Sequence, residues 1–77
     1  MMKYEECKKI AEEIADKYNV TIDKAYNIGN DFAFDTNEEY EGVFPLVVCA
    51  NDGFAMGIWQ YVNDKDMSMD DMIEREL

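Results

Sequence analysis

The chain reads as a small α+β domain: an N-terminal amphipathic helix packed on a small antiparallel sheet of about three strands, with a short C-terminal helical segment. Three observations predict it. Apolar residues recur at helical spacing from Tyr4 to Tyr18. Phe32, Phe34 and Thr36 alternate with Ala33 and Asp35. Asn51-Asp52-Gly53 supplies turn chemistry between two strand-like runs.

The first element is an amphipathic helix because Tyr4, Cys7, Ile10, Ala11, Ile14, Ala15 and Tyr18 share one stripe, while Glu5, Glu6, Lys8, Lys9, Glu12, Glu13, Asp16 and Lys17 fill the rest. Glu5 with Lys9 and Glu13 with Lys17 stand in the favourable i,i+4 order, each pair contributing about 0.2 to 0.5 kcal/mol. Asn19 is the stop. From Val20 to Ile28 the pattern is mixed and fits a short strand or an irregular lead-in, and Gly29-Asn30 marks a turn. Asp31 to Thr36 then has the period of a half-buried strand.

A polar, acidic loop follows, Asn37-Glu38-Glu39-Tyr40-Glu41-Gly42, and leads into Phe44-Pro45-Leu46-Val47-Val48-Cys49-Ala50. The proline is compatible with this β-branched run only near a strand start or on an edge. Beyond the turn, Phe54 to Tyr61 reads as the returning strand. A two-residue turn at Asp52-Gly53 would set Leu46 opposite Trp59, Phe44 opposite Tyr61 and Val48 opposite Gly57. A three-residue loop with a bulge at Gly53 would pair Leu46 with Ile58 and Val48 with Met56. Both registers leave apolar side chains on both sheet faces.

One helix covers one face, so the other needs a second cover. The tail is the expected one: Ser68 with Asp71 resembles a helix start, and Met67, Met69, Met72, Ile73 and Leu77 could form its apolar side. The alternative is a homodimer or partner interface through Trp59 and Tyr61.

With 77 residues, 48% of them apolar and 13% aromatic, the chain has material for one core, so residues 1–77 are read as a single domain. Eighteen acidic against seven basic residues and no histidine leave a net charge of −11. That field repels nucleic acid and anionic membranes and speeds encounter with a basic protein surface. The stretch Met1 to Tyr18 is charged throughout and does not resemble a signal peptide, so a cytoplasmic location is expected. Cys7 and Cys49 are expected to be reduced and buried rather than bridged.

Catalytic chemistry is hard to assemble here, and no catalytic residue is assigned. Nucleophilic catalysis needs a base beside the nucleophile, but there is no histidine, and Ser68, the only serine, sits in the expected helix cap. Cys49 lies in a core strand, where a thiol behaves as a small hydrophobe. Paired carboxylates need a cleft with one member desolvated, which a chain this short has little material to build. Two distant cysteines make no zinc site. Asp64, Asp66, Ser68 and Asp70 alternate like calcium-loop ligands, but Met69 stands where glycine is required and Arg75 where a bidentate glutamate belongs. No metal or cofactor is therefore assigned, and a non-enzyme is expected.

Charge placement is the strongest functional signal. Ala25 through Asp64 contains no lysine or arginine, while Asp31, Asp35, Glu38, Glu39, Glu41, Asp52 and Asp64 all carry negative charge. Asp35, Glu38, Glu39, Tyr40, Glu41 and Trp59 are the expected partner contacts, the acids steering a basic surface and the aromatics anchoring it. Acidic loops serving only solubility are the plainer explanation of the same pattern.

The order of parts, with Asp31-Phe32-Ala33-Phe34-Asp35, an acidic loop with Tyr40, Pro45-Leu46-Val47-Val48 and the turn Asn51-Asp52-Gly53, resembles small YrhB-like immunity proteins over residues 4 to 61. The resemblance implies a bacterial inhibitor that neutralises a toxin of interbacterial conflict. The leading expectation is an immunity-type protein occluding a basic active site, such as a nuclease's. The alternatives are a DNA-mimic inhibitor of phage or mobile-element type, and a structural homodimer built on Trp59 and Tyr61.

Overall fold

The computed structural model describes every residue except Glu39 and Glu41. It is α+β, with helix α1 (Tyr4–Lys17), strands β1 (Ile22–Ile28), β2 (Asp31–Thr36), β3 (Leu46–Val48) and β4 (Ala55–Gly57), helix α2 (Ile58–Lys65), a single 3-10 turn (Met69–Asp71) and strand β5 (Met72–Arg75). The strands form one antiparallel sheet in the order β4-β3-β2-β1-β5. The sheet has five strands rather than the expected three.

α1 begins where Glu6 reaches back to accept from the Lys3 amide at 3.0 Å and ends where Asn19 turns left-handed at φ 58°. There Asn19 N–H donates to Asp16 and Val20 N–H to Ala15, which satisfies the last carbonyls and turns Val20 into the core. Within the stretch from Val20 to Ile28, β1 takes Ile22–Ile28, and its register slips between Ile22 and Lys24. That bulge explains the mixed pattern, because it puts Ile22 and Ala25 on the same face despite their odd separation. The Gly29-Asn30 turn then closes a two-residue hairpin with Gly29 at positive φ.

Alternation along the strands creates two apolar faces, and each has its own helix. Ala25, Phe34, Leu46 and Val48 pack with Cys7, Ala11 and Ala15 of α1. Ile28, Ala33 and Val47 point the other way and pack with Ile58 and Tyr61 of α2. Burying each such Val, Ile or Phe contributes about 1.5 to 3 kcal/mol.

The second face is thus covered mainly by α2, and the expected C-terminal helix is a strand. Ser68 does cap, accepting from the Asp70 amide while Asp71 accepts from the Ser68 amide, but the cap opens only one 3-10 turn. Of the five apolar tail residues, Met67 and Met72 pack against the core, whereas Met69, Ile73 and Leu77 are exposed. β5 instead pairs with β1 at the sheet's edge, held by Arg75, whose guanidinium lies 3.7 Å from the centroid of the Tyr4 ring and donates to Asn27 Oδ1 at 3.2 Å.

The hairpin after β3 also differs from both expected registers: Leu46 faces Gly57, Val47 faces Met56 and Val48 faces Ala55. Its loop spans Ala50 to Gly53, closed by Cys49 N–H to Phe54 O at 2.8 Å and Gly53 N–H to Cys49 O at 2.8 Å. The returning strand stops at Gly57, and α2 begins when Ile58 N–H donates to Pro45 O at 2.8 Å. Pro45 itself sits just before β3, where its missing N–H removes no ladder bond.

Candidate functional site

The loop after β2 is built from local hydrogen bonds. Asp35 Oδ1 accepts from the Thr36 amide at 2.8 Å, and the Thr36 hydroxyl donates to the Glu38 carbonyl. Tyr40 O accepts from both Val43 and Phe44 amides at 3.0 Å, with Gly42 at φ 84° making the turn. The Tyr40 hydroxyl donates to Tyr18 O at 3.3 Å, and the two rings lie 5.4 Å apart, so the loop is tied to the C-terminal end of α1. Phe44 is buried beneath it, edge-on to Tyr18.

The other wall comes from α2. Pro45 anchors the first turn of that helix beside the loop, and the Gly57 backbone lies so close to Gly42 that a methyl group at position 57 would collide with the Gly42 carbonyl oxygen. This close approach places Trp59, 64% exposed, across from the acidic loop.

Between them lies an open cleft of about 470 Å³. Asp35, Thr36, Asn37 and Glu38 line it from the end of β2 and the following turn, Tyr40, Gly42, Phe44 and Pro45 from the loop, and Trp59 from α2. Four of the six expected contact residues, Asp35, Glu38, Tyr40 and Trp59, therefore share one concavity. The other two, Glu39 and Glu41, lie outside the described residues. No lysine or arginine lines the cleft among the described residues.

The wider acidic block is not one field. Asp31 points inward, its Oδ2 accepting from the Tyr61 hydroxyl at 2.6 Å and its Oδ1 from the Ala50 amide at 2.8 Å. Asp52 stabilises the loop before β4 by accepting from the Phe54 amide, and neighbouring Gly53 packs on Met2 and Ile10, near the opposite end of α1 from Tyr18. Asp64 sits in the last turn of α2. Lys24 stands opposite Asp35 in the β1–β2 register.

Tyr61, expected in the alternative to share a homodimer or partner interface with Trp59, is 2% exposed and bonds to Asp31 within the core. Burial first, and then that hydrogen bond, push its phenol pKa well up. Burial likewise raises the Cys7 and Cys49 thiols, with the Asp31 charge adding to both. Both cysteines are free and buried, so neither presents a thiolate.

The alternating acids at 64–70 do not converge. Asp66 is the left-handed cap of α2, Ser68 is used by the 3-10 turn, and among the described residues no group of three or more Cys, Asp or Glu side chains is placed to hold a metal. Among the described residues, no helix is long and apolar enough to cross a membrane.

Sequence reasoning missed Phe44, Pro45 and Gly57 as parts of the site. The signal that could have found them is the helical spacing of Ile58, Tyr61 and Val62, which breaks the strand at Gly57 and brings α2 against the loop.

The fold and cleft define a small α+β domain with an acidic, aromatic-lined concavity at the junction of a loop and a helix. In comparisons with known proteins, no family model, no curated protein and no solved structure matches the chain.

Proposed function

We propose that the chain is a non-enzymatic binding protein that uses this cleft and its acidic rim to occlude a basic protein surface, as an immunity-type inhibitor does. One observation carries the reading: α2 brings the exposed Trp59 into the same concavity as Asp35, Glu38 and Tyr40. An exposed tryptophan beside a concave surface is the anchor type found in binding hot spots, and acids around it accelerate encounter with a cationic partner. The resemblance to YrhB-like immunity proteins and the net charge of −11 support the same reading.

A DNA mimic would need carboxylates arrayed like phosphates, and the inward turn of Asp31 and the distant placement of Asp52 weigh against that array. The homodimer reading loses Tyr61, which is inside the molecule.

The test is inhibition of a panel of purified basic bacterial nucleases by the wild type, Trp59→Ala and Glu38→Gln. Trp59→Ala should unfold within about 0.5 kcal/mol of wild type because the side chain is mostly exposed. At least one nuclease should be inhibited, with Trp59→Ala weakening affinity about 30-fold or more. Association should slow with added salt, and Glu38→Gln should slow it further. Inhibition of no nuclease, or equal inhibition by Trp59→Ala, refutes the reading.

A further inference from the structure

The chemistry of the cleft is specific enough to name what enters it. Its volume of about 470 Å³ falls within the range of sites that hold one small ligand or side chain, roughly 300 to 1,000 Å³. Three aromatic residues, Trp59, Tyr40 and the largely buried Phe44, and two acidic residues, Asp35 and Glu38, line it. One Asp35 oxygen is already held by the Thr36 amide, which fixes that carboxylate's orientation without neutralising it. An anionic group would meet two carboxylates there and no cation among the described lining residues, and an aliphatic side chain would leave those carboxylates partly desolvated and unpaired.

We propose that the cleft receives a single arginine side chain projecting from the partner protein. A guanidinium is the group that uses the aromatic and acidic lining together: it stacks on aromatic faces, donates in a planar fork to carboxylates, and sheds its weak hydration at low cost. A lysine ammonium satisfies the charge but offers neither the fork nor the stacking plane. The same protein supplies a precedent for the stacking half of this arrangement, in Arg75 lying over the Tyr4 ring. The inference rests on the binding reading above and narrows it to one anchoring residue type.

Trp59 is the only tryptophan in the chain, so its fluorescence reports on this cleft alone. The purified protein is titrated at low salt with N-acetyl-arginine amide, with the lysine counterpart, and with the neutral isostere N-acetyl-citrulline amide. The arginine compound should change Trp59 emission saturably, binding at least tenfold more tightly than the citrulline compound and several-fold more tightly than the lysine compound. Glu38→Gln, at an exposed position, should weaken arginine binding several-fold with unchanged thermal unfolding. Equal binding of arginine and citrulline, equal binding of arginine and lysine, or no saturable response to arginine overturns the proposal. An arginine response with no inhibited nuclease refutes the broader reading and leaves this one standing; inhibition without an arginine response does the reverse.

Discussion

Tyr61 carries more of the molecule than its place in a short helix suggests. Its ring fills the second core, and its hydroxyl reaches both Asp31 and the Ile28 carbonyl, fastening α2 to the β1–β2 hairpin. Tyr61→Phe keeps the ring but leaves Asp31 Oδ2 without its phenolic donor, and should cost about 1 to 3 kcal/mol in urea unfolding. The folded pKa of Tyr61 is raised, so the native state keeps a proton that the unfolded chain releases above about pH 10. Its contribution is fully present below that pH and is lost as the pH rises toward the folded value, with a slope of at most about 1.4 kcal/mol per pH unit. Unfolding measured from pH 8 to 11 should therefore show declining stability, and Tyr61→Phe should decline less steeply above about pH 10, the slope that remains there coming from Tyr4 and Tyr26, whose phenols burial also raises. The onset near pH 8.5 to 9, where the buried Cys7 and Cys49 thiols would ionise in the unfolded chain, should persist in the variant. Identical pH slopes in the two proteins would show that this phenol is not held neutral by the fold.

At the scale of elements, the junction between β4 and α2 governs the site. Gly57→Ala would drive a methyl group into the Gly42 carbonyl oxygen, a backbone atom that moves only with its loop. The variant should lose about 1 to 3 kcal/mol and displace the Tyr40–Phe44 turn, read as a shift in Trp59 emission even without ligand. Gly29→Ala, at positive φ and away from the cleft, serves as the comparison: it should destabilise without changing Trp59 emission. The sequence made some elements plain and hid others. α1 was legible because its apolar stripe runs through more than three turns and ends on Asn19. α2 was hidden because Ile, Trp, Tyr and Val favour strands, and eight residues hold too few turns for a period of 3.6 to stand out against a period of 2. β1 was obscured by its bulge, and β5 was hidden because Ser68 with Asp71 forms a genuine cap ahead of it and four residues are too few to establish a period. Of the site, the acids and Trp59 were legible from charge and residue type, whereas Gly57 and Pro45 matter only through contacts that close in three dimensions.

For the molecule as a whole, a charge of −11 on 77 residues is a self-repulsion that folding must overcome. Salt screens it, with a Debye length of about 10 Å at 0.1 M. The thermal midpoint should rise by several degrees between 20 mM and 0.5 M sodium chloride, while association with any basic partner slows over the same range. A midpoint independent of salt would mean that the acids are dispersed widely enough not to strain the fold.

Patterning along the chain determined the class of fold, the first helix, the β2 strand and the sign of the surface charge, because these depend on residue order and composition alone. Tertiary structure decided the rest: which element covers the second face, where Tyr61 points, and which of the acids meet Trp59. Those outcomes depend on a competition between burial of apolar faces and local propensity. At Gly57 burial prevails: the helix that starts there brings Ile58 and Tyr61 onto Ala33 and Val47.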